Sequence, residues 1–410
     1  MRVAFVALVL LLASPGLAVT FNVSVETDGN DANPGDGICN NGFNQCTLRA
    51  AIQQSNALLG ADTVLLPEGV YRLTVQRDTD VADNQSGDLD VTSAITLIGV
   101  GDDSPCNGSG CTVIDGSKVK DRVFDVHGGG DVVIQDLVIL NGKAQKDDAN
   151  NAQPGQVSGG CLRIDGAGAG LTLENVTVQR CKSPGDGGCV GFTEFSAGNI
   201  SDTFLEKCQA KDAGGGVDAD AATLTLDRVT ISKSKAQTGG GVAASGGTLT
   251  LKNVTLSKNK GKVGGGLAVE SDAAVTVNNT TFFDNKGKDS ACIFADDATQ
   301  TTPVTVSNSL LRSGGKELNC LGPIESEGGN LENGVTCPFT GANDCPDCDP
   351  SIVSQLIDNG GEVPTHAIEQ NSQAINRGNA MTCETTDARD FPRNGTCDSG
   401  AFEFGATPPP

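Results

Sequence analysis

Two pairs of neighbouring carboxylates are the residues of this 410-residue chain best suited to chemistry. Asp218 lies close to Asp220, and Asp296 is followed by Asp297. Carboxylate pairs act as general acid and base in glycoside hydrolysis, and their oxygens are ligands that calcium prefers. The chain has 51 acidic residues, so an acidic surface explains such pairs without catalysis. We therefore assign no catalytic and no cofactor-binding residue.

Side chains that commonly act as general bases are scarce. The chain contains two histidines, His127 and His366, and one tyrosine, Tyr71. His127 precedes three glycines, and we interpret it as a solvated loop residue. His366 lies within a C-terminal motif, and we interpret it as buried and structural. General acid–base catalysis therefore has few candidate residues.

Two acidic loops, residues 28–36 and 78–90, combine Asp and Asn with glycine. Calcium suits such oxygens, but neither loop has the spacing of an EF-hand or of a Gly-Gly-x-Gly-x-Asp array. The same residue types are ordinary in turns. Calcium stays an alternative, the metal ligands stay unassigned, and no other cofactor is expected.

A glycine triplet recurs along the middle of the chain every 25 to 28 residues, at Gly159, Gly187, Gly214, Gly239, Gly264 and, as Ser-Ala-Cys, at Ser290. Between the triplets, stretches such as 171–178 and 249–256 alternate apolar and polar residues. Alternation with period two is typical of β-strands. A unit this short buries an apolar face only by stacking on its neighbours, so the repeat predicts a solenoid.

Three short strand-like stretches per unit predict an all-β fold, a right-handed single-stranded parallel β-helix of the pectate-lyase-like type. Each strand would pair with its copy one coil away at about 4.8 Å, and parallel crossovers are right-handed. Leucine-rich and helical repeats are disfavoured because the units lack a long apolar helical stripe. One turn position forms a predicted ladder of mostly amide and acid residues: Asn175, Asp202, Arg228, Asn253, Asn279 and Asn308.

The N-terminus and the charge indicate export. Residues 1–18 combine Arg2, an apolar run and a small-residue end, which is typical of a cleaved secretory signal. No other stretch has the length of a transmembrane segment. The mature chain would carry 27 basic and 51 acidic residues, a net charge of 27 − 51 = −24, which disfavours nucleic acid. We expect a secreted or extracellular protein, with the cell surface as an alternative.

Fifteen cysteines in an exported chain favour disulfides over metal thiolates. The preferred bridges join close neighbours: Cys39 with Cys46, Cys106 with Cys111, and Cys383 with Cys397. Two further pairs occupy equivalent positions on adjacent coils, Cys161 with Cys189 and Cys181 with Cys208, so bonds between coils are an alternative. The nearby set of Cys320, Cys337, Cys345 and Cys348 also favours disulfides. An odd count leaves at least one thiol free or paired between chains.

Two long motifs resemble known domains. Cys39, the run 46–56 and the segment 60–63 resemble the N-terminal motif of CSLREA-domain proteins. Segments 356–361, 374–378 and 397–403 resemble the choice-of-anchor Q domain. The resemblance implies an exported bacterial right-handed β-helix protein, and it implies no general activity.

The expected organisation has six parts: a signal peptide (1–18), an N-terminal cap (19–60), β-helix repeats (61–315), a Cys-rich connection (316–350), a C-terminal cap (351–405) and a tail (406–410). In the N-terminal cap, a helix with Thr47 as its N-cap and with Leu48, Ile52 and Leu59 near one face would cover the first coil.

The expected function is a structural or adhesive role, with an unidentified cell-envelope, protein or polysaccharide partner. The competing interpretation is a calcium-assisted polysaccharide lyase or glycoside hydrolase acting on the lateral face of the helix. Three or more Asp, Lys or Arg residues converging on one face would favour the enzyme, whereas a uniform Thr and Asn surface would favour the scaffold.

Overall fold

The computed structural model describes residues 16–77, 84–101, 106, 109–145, 157–315 and 317–409. Most of the expected signal peptide, and residues 78–83 of the second acidic loop, lie outside this part of the chain. The described residues form one helix, α1 (Leu48–Ala57), and 28 strands. In chain order the strands are β1 (Thr20–Asn22), β2 (Asp62–Leu65), β3 (Gly69–Arg72), β4 (Leu89–Val91), β5 (Ile95–Ile98), β6 (Thr112–Asp115), β7 (Phe124–His127), β8 (Asp131–Leu140), β9 (Leu162–Asp165), β10 (Gly170–Gln179), β11 (Lys182–Ser183), β12 (Val190–Phe192), β13 (Ala197–Glu206), β14 (Gln209–Ala210), β15 (Val217–Asp220), β16 (Thr223–Ser232), β17 (Val242–Ser245), β18 (Thr248–Lys252), β19 (Thr255–Ser257), β20 (Leu267–Glu270), β21 (Ala274–Asn278), β22 (Thr281–Phe283), β23 (Ile293–Ala295), β24 (Val304–Ser307), β25 (Leu310–Arg312), β26 (Cys320–Leu321), β27 (Ile324–Gly328) and β28 (Leu331–Glu332).

Two long parallel sheets run the length of the molecule. The first sheet has 17 strands and the second, formed by β4, β7, β9, β12, β15, β17, β20, β23 and β26, has nine. Each strand pairs with the equivalent strand one coil away, as in Leu226 with Leu251 and Leu251 with Val277. The predicted right-handed parallel β-helix is confirmed.

The interior is built from rows of stacked apolar side chains. One row along the first sheet is completely buried in every coil: Leu173, Ile200, Leu226, Leu251, Val277 and Val306. Alternation along each strand sends these residues inward and their neighbours outward. The short repeat therefore forms one continuous core, as its length requires.

Glycines and asparagines make the bends between strands. The first glycine of each triplet has a positive φ, 61° at Gly239, and the second has no room for a side chain. A Cβ at Gly240 would lie 2.3 Å from the carbonyl carbon of Lys260 on the next coil. All six residues of the predicted turn ladder also have a positive φ, which Asn and Asp tolerate better than most residues. The ladder is therefore confirmed.

Buried asparagines add a hydrogen-bonded row inside the solenoid. The Asn285 amide donates to the carbonyl of Leu256 at 2.7 Å, and its side-chain oxygen accepts from the backbone N–H of Asn259 at 2.9 Å. Asn259 makes the equivalent bonds to Ile231 and Ser234. Each side chain satisfies backbone groups that a bend removes from the sheet ladder.

Helix α1 covers the start of the solenoid and packs against β2 and β4. Thr47 is its N-cap, since its hydroxyl accepts from the N–H of Ala50 at 3.1 Å, as predicted. Leu48 and Ile52 are buried, but Leu59 is 75 % exposed because the helix ends at Ala57 and the chain turns away. The prediction that Leu59 joins the buried face was wrong.

The C-terminal part of the chain closes the far end and then returns along the side of the solenoid. Cys337 and Phe339 pack into the main core beyond the last coil. The following segment, residues 351–405, lies against the turns of several earlier coils, and its isolated bridges are antiparallel. We call residues 351–405 the lateral brace.

We expect Asn285→Ala to lower the free energy of unfolding by about 2–4 kcal/mol, because it leaves the Asn259 N–H and the Leu256 carbonyl without partners. Thr248→Ala, which removes an exposed hydroxyl from the same region, is the control and should change stability by less than about 0.5 kcal/mol. Denaturant unfolding followed by circular dichroism measures both. Equal stability of the two variants would contradict the proposed role of the asparagine row.

Candidate functional site

The outer face of the second sheet gathers charged residues at its N-terminal end. Strands β4, β7, β9, β12 and β15 are neighbours, and their register aligns Asp90, Asp125, Arg163, Gly191 and Asp218 in one row. The adjacent residues on these strands are apolar and point into the core. Five positions distant in sequence therefore lie side by side at successive strand spacings. We call them the outer row.

An ion-pair network occupies the first three positions of the outer row. Arg163 binds Asp125 with two nitrogens, at 2.8 Å and 2.5 Å, and Arg122 approaches the same carboxylate at 3.1 Å. His127 ends β7, and its Nε2 lies 3.3 Å from Asp90 and 3.5 Å from Asp125. The His127 side chain is 25 % exposed. The interpretation of His127 as a solvated loop residue was wrong, because the strand carries it beside two carboxylates.

These contacts set the charges of the network. Burial alone would raise the pKa of Asp125, but Arg122 and Arg163 outweigh it and hold the pKa well below its usual range. Hydrogen bonds to Asp125 and then to Asp90 raise the pKa of His127 to about 10. At neutral pH the ionised Asp125 is thus paired with the guanidinium groups of Arg122 and Arg163 and with the imidazolium of His127.

The same place brings together three groups of the kind that bind metal ions, since ligand atoms of Asp90, Asp125 and His127 lie within 4.8 Å of one another. A cation would have to displace the proton of His127 and approach Asp125 against the charges of Arg122 and Arg163. The residues therefore fit a closed ion-pair network better than a metal centre.

At the other end of the outer row, the carboxyl group of Asp186 approaches that of Asp218. Asp218 is 6 % exposed, and burial together with the nearby Asp186 raises its pKa well above the usual range. Burial also raises the pKa of Asp186, to about 6, although this carboxylate accepts from the N–H of Ala213 at 2.8 Å. The partly exposed Asp220 is a smaller influence on both. We call Asp186 and Asp218 the carboxyl pair.

Two of the other acidic candidates accept hydrogen bonds from neighbouring residues of their own turns and loops. Asp296 accepts from the N–H of Ala298 and the hydroxyl of Thr299, which caps a turn, and Asp297 is exposed. In the first acidic loop, Asp31 accepts from the N–H groups of Asn33 and Asn40 at 2.8 Å. Protein donors thus occupy oxygens of Asp31 and Asp296, and residues 78–83 of the second acidic loop lie outside the described residues.

His366 lies far from the outer row, in the lateral brace. Its ring stacks on Phe283 at 4.1 Å, and Nε2 is 2.9 Å from the hydroxyl of Ser257. Burial lowers its pKa to about 4. The interpretation of His366 as a buried structural residue is confirmed.

Seven disulfides occur in the described residues. Three join the neighbours that were preferred from sequence: Cys39–Cys46, Cys106–Cys111 and Cys383–Cys397. The others are Cys161–Cys181, Cys189–Cys208, Cys320–Cys337 and Cys345–Cys348, and Cys292 is a buried free thiol. The alternative of bonds between coils was wrong: equivalent side chains point the same way, whereas residues across one coil face each other.

Comparison with known proteins agrees with this architecture. A family model described as a right handed beta helix region matches residues 160–341. The match covers less than half of the chain and agrees with the right-handed parallel β-helix fold described above. Its solved neighbours include the pectate lyase Pel9A, with a TM-score of 0.45, 13% identity and coverage of 94% of this chain and 96% of that one. The PL6 family alginate lyase AlyGC gives a TM-score of 0.25, 11% identity and coverage of 85% and 59%.

The likeness to both lyases concerns the fold alone. A search of curated proteins gives no match. Among the described residues, no helix of this β-helix protein has the length and apolar character needed to cross a bilayer.

We expect the two imidazoles to titrate on opposite sides of the ordinary value of 6.5, His127 near 10 and His366 near 4. The chain has two histidines, so NMR of the ring protons resolves both, and His366→Gln assigns them. A titration of either imidazole near 6.5 would contradict the contacts described above.

The raised pKa of His127 makes the free energy of unfolding depend on pH. The pKa of His127 is higher in the folded state, so protonation of His127 stabilises the fold fully below about pH 6.5, and this contribution is lost as the pH rises through about 10. His127→Gln should therefore be less stable than the parent at about pH 6, and the difference should shrink above about pH 10. Chemical denaturation at both values measures it.

Proposed function

We propose that this β-helix protein is exported and has a structural or adhesive role outside the cell. The observation that carries the proposal is the lateral brace. A solenoid holds each coil only by its neighbours, so force applied at one end would detach coils one at a time. A segment bonded to many coils shares that force among them.

The bonds of the brace reach five successive coils. Arg393 donates to the side chain of Asn253 at 2.9 Å, and the hydroxyl of Thr230 donates to the carbonyl of Pro364 at 2.8 Å. The remaining coils bond to the brace through Asn278 with Thr382, Asn308 with Asn379, and Gly329 with Ser399. Two of these attachment points, Asn253 and Asn308, belong to the turn ladder. The spread of the bonds over five coils supports a role of the brace in resisting force.

The disulfides support the proposed compartment. Seven bridges in the described residues require an oxidising environment for their formation and persistence. Two of them, Cys161–Cys181 and Cys189–Cys208, each fasten a single coil. An exported protein exposed to proteases and to force gains from both the covalent closure of coils and the brace.

A glycoside hydrolase is the second candidate, because the charged residues of the outer row converge on one face, the arrangement expected above of an enzyme, and because of the carboxyl pair. A carboxylic acid that keeps its proton near neutral pH can protonate a leaving oxygen, and a second carboxylate beside it can act as base or nucleophile. Asp218 has the raised pKa of such an acid, and Asp186 would be its partner. A lyase is less well supported, since His127 is protonated and Arg163 is bound to Asp125.

Mechanical unfolding tests whether the lateral brace makes the coils resist force together. In single-molecule pulling of the parent protein, we expect the coils between Cys208 and Cys320, which no disulfide closes in the described residues, to unfold together in one step. Arg393→Met removes the bond to Asn253 and the ion pair with Glu403, so the coils should detach separately, at lower force, in steps of about 90 Å. Arg377→Met, a control in the same segment, should behave like the parent. Indistinguishable traces for the parent and Arg393→Met would refute the role of the brace.

A polysaccharide assay separates the two candidates. We expect neither new reducing ends nor unsaturated uronate from polygalacturonate, alginate or chondroitin, with or without calcium. Cleavage that is lost in Asp218→Asn by about a hundredfold or more and kept in Asp297→Asn would establish the hydrolase instead. The control replaces an exposed acid on the same solenoid and changes the net charge equally.

A further inference from the structure

A basic strip runs along one edge of this acidic protein. It lies where each coil leaves the first sheet and approaches the glycine triplet, and all its members are exposed. We call it the basic edge, and it consists of Lys143, Arg180, Lys182, Lys207, Lys211, Lys233, Lys235, Lys258, Lys260, Lys262, Lys286 and Lys288. These are twelve of the 28 basic residues in a chain with a formal net charge of −23.

The central column of the basic edge is in register over six coils. Backbone pairing joins Lys143 to Lys182, Lys182 to Gln209, Gln209 to Lys235, Lys235 to Lys260, and Lys260 to Lys286. Parallel strands lie about 4.8 Å apart, so the column is about 24 Å long. The corner column beside it, from Arg180 to Lys258, has a positive φ at each residue and so keeps a constant position relative to the first.

Like charges directly opposite on neighbouring strands destabilise a sheet, so a column of lysines needs counter-charges. In the corner column, Glu206 supplies them to Lys207 at 2.9 Å and Lys233 at 2.7 Å. Asp212 lies 3.3 Å from Lys211. Within the described residues, however, none of the five lysines of the central column forms a salt bridge. The protein thus concentrates positive charge without salt-bridge partners in a row at strand spacing, which Gln209 interrupts once.

We propose that the basic edge binds a linear acidic polysaccharide that carries one carboxylate per sugar. The inference rests on the adhesive role proposed above and names its partner. A regular row of positive charges matches a regular row of negative charges, and one sugar unit advances such a polymer by a distance close to the strand spacing. The acidic remainder of the surface repels the polymer elsewhere and so directs it to the edge.

The composition of the edge favours a polysaccharide over a nucleic acid. Binding of single-stranded nucleic acid uses aromatic side chains on which bases stack, and no aromatic residue belongs to the edge. Eleven of its twelve members are lysines, which act as mobile point charges, and the paired guanidinium geometry that recognises phosphate is missing. Weak, additive and salt-sensitive contacts with carboxylates suit such a row.

Matched charge variants test the proposal. The edge variant is Lys182→Gln, Lys235→Gln, Lys260→Gln, and the control variant is Lys118→Gln, Lys120→Gln, Lys252→Gln, which lowers the net charge equally. Binding of the full oxidised protein to immobilised polygalacturonate is measured by interferometry at low and physiological salt. We expect the edge variant to bind about tenfold or more weakly, the control within about twofold of the parent, and salt to weaken parent binding.

Three results would overturn the proposal: equal losses in both variants, no loss in the edge variant, or binding to single-stranded DNA or anionic vesicles as tight as to polygalacturonate. Thermal unfolding of each variant shows that the fold is kept. Adhesion of the protein to polysaccharide-bearing cells separates the two levels of inference. If the edge variant still adheres to the cells, the basic edge is not the binding site, but the adhesive role stands. If the parent protein does not adhere, the adhesive role itself is rejected.

Discussion

Parallel pairing of each strand with its own copy is the interaction on which this structure depends. It brings every residue within about 4.8 Å of the equivalent residue in the next coil, whatever the chemistry of the two. Favourable neighbours are thereby repeated, as in the apolar rows and the asparagine row. Unfavourable neighbours are repeated as well, as in the lysine column. The sheet that stabilises the molecule therefore also decides where its charge collects.

Charged groups that the parallel pairing brings together are stabilised in two ways. On the outer face of the second sheet, opposite charges meet: Asp125 lies between Arg122 and Arg163, and His127 is held in its protonated form. Among the described residues, no guanidinium group binds the carboxyl pair, and burial raises both pKa values instead. Opposite charges therefore stabilise the charged form of Asp125, whereas Asp186, with a pKa of about 6, changes its protonation state close to neutral pH.

Much of the fold could be predicted because the same sequence signals recur in successive coils. The glycine triplets, the alternation and the turn residue Asn253 have equivalents in other coils, and Thr47 is a local capping signal. Side-chain direction was harder: Cys161 shares a repeat position with Cys189 but bonds to Cys181 across its own coil. The outer row could have been found by aligning the residues that precede Val91, Val126 and Ile164. The lateral brace has no repeated signal, because each of its contacts joins a unique pair of residues.

The lateral brace has a consequence for the order in which the molecule assembles. The coils need only contacts between residues about one repeat apart. They can therefore form one after another, starting from the N-terminal end, while the chain is being synthesised. The brace instead joins Thr230 to Pro364 and Asn279 to Asp398, across 134 and 119 residues. Closing such distances is the slow part of folding. We therefore expect the solenoid to form before the brace, so that the turn asparagines are exposed for a time and the segment 351–405 of a second chain can bind them by domain exchange.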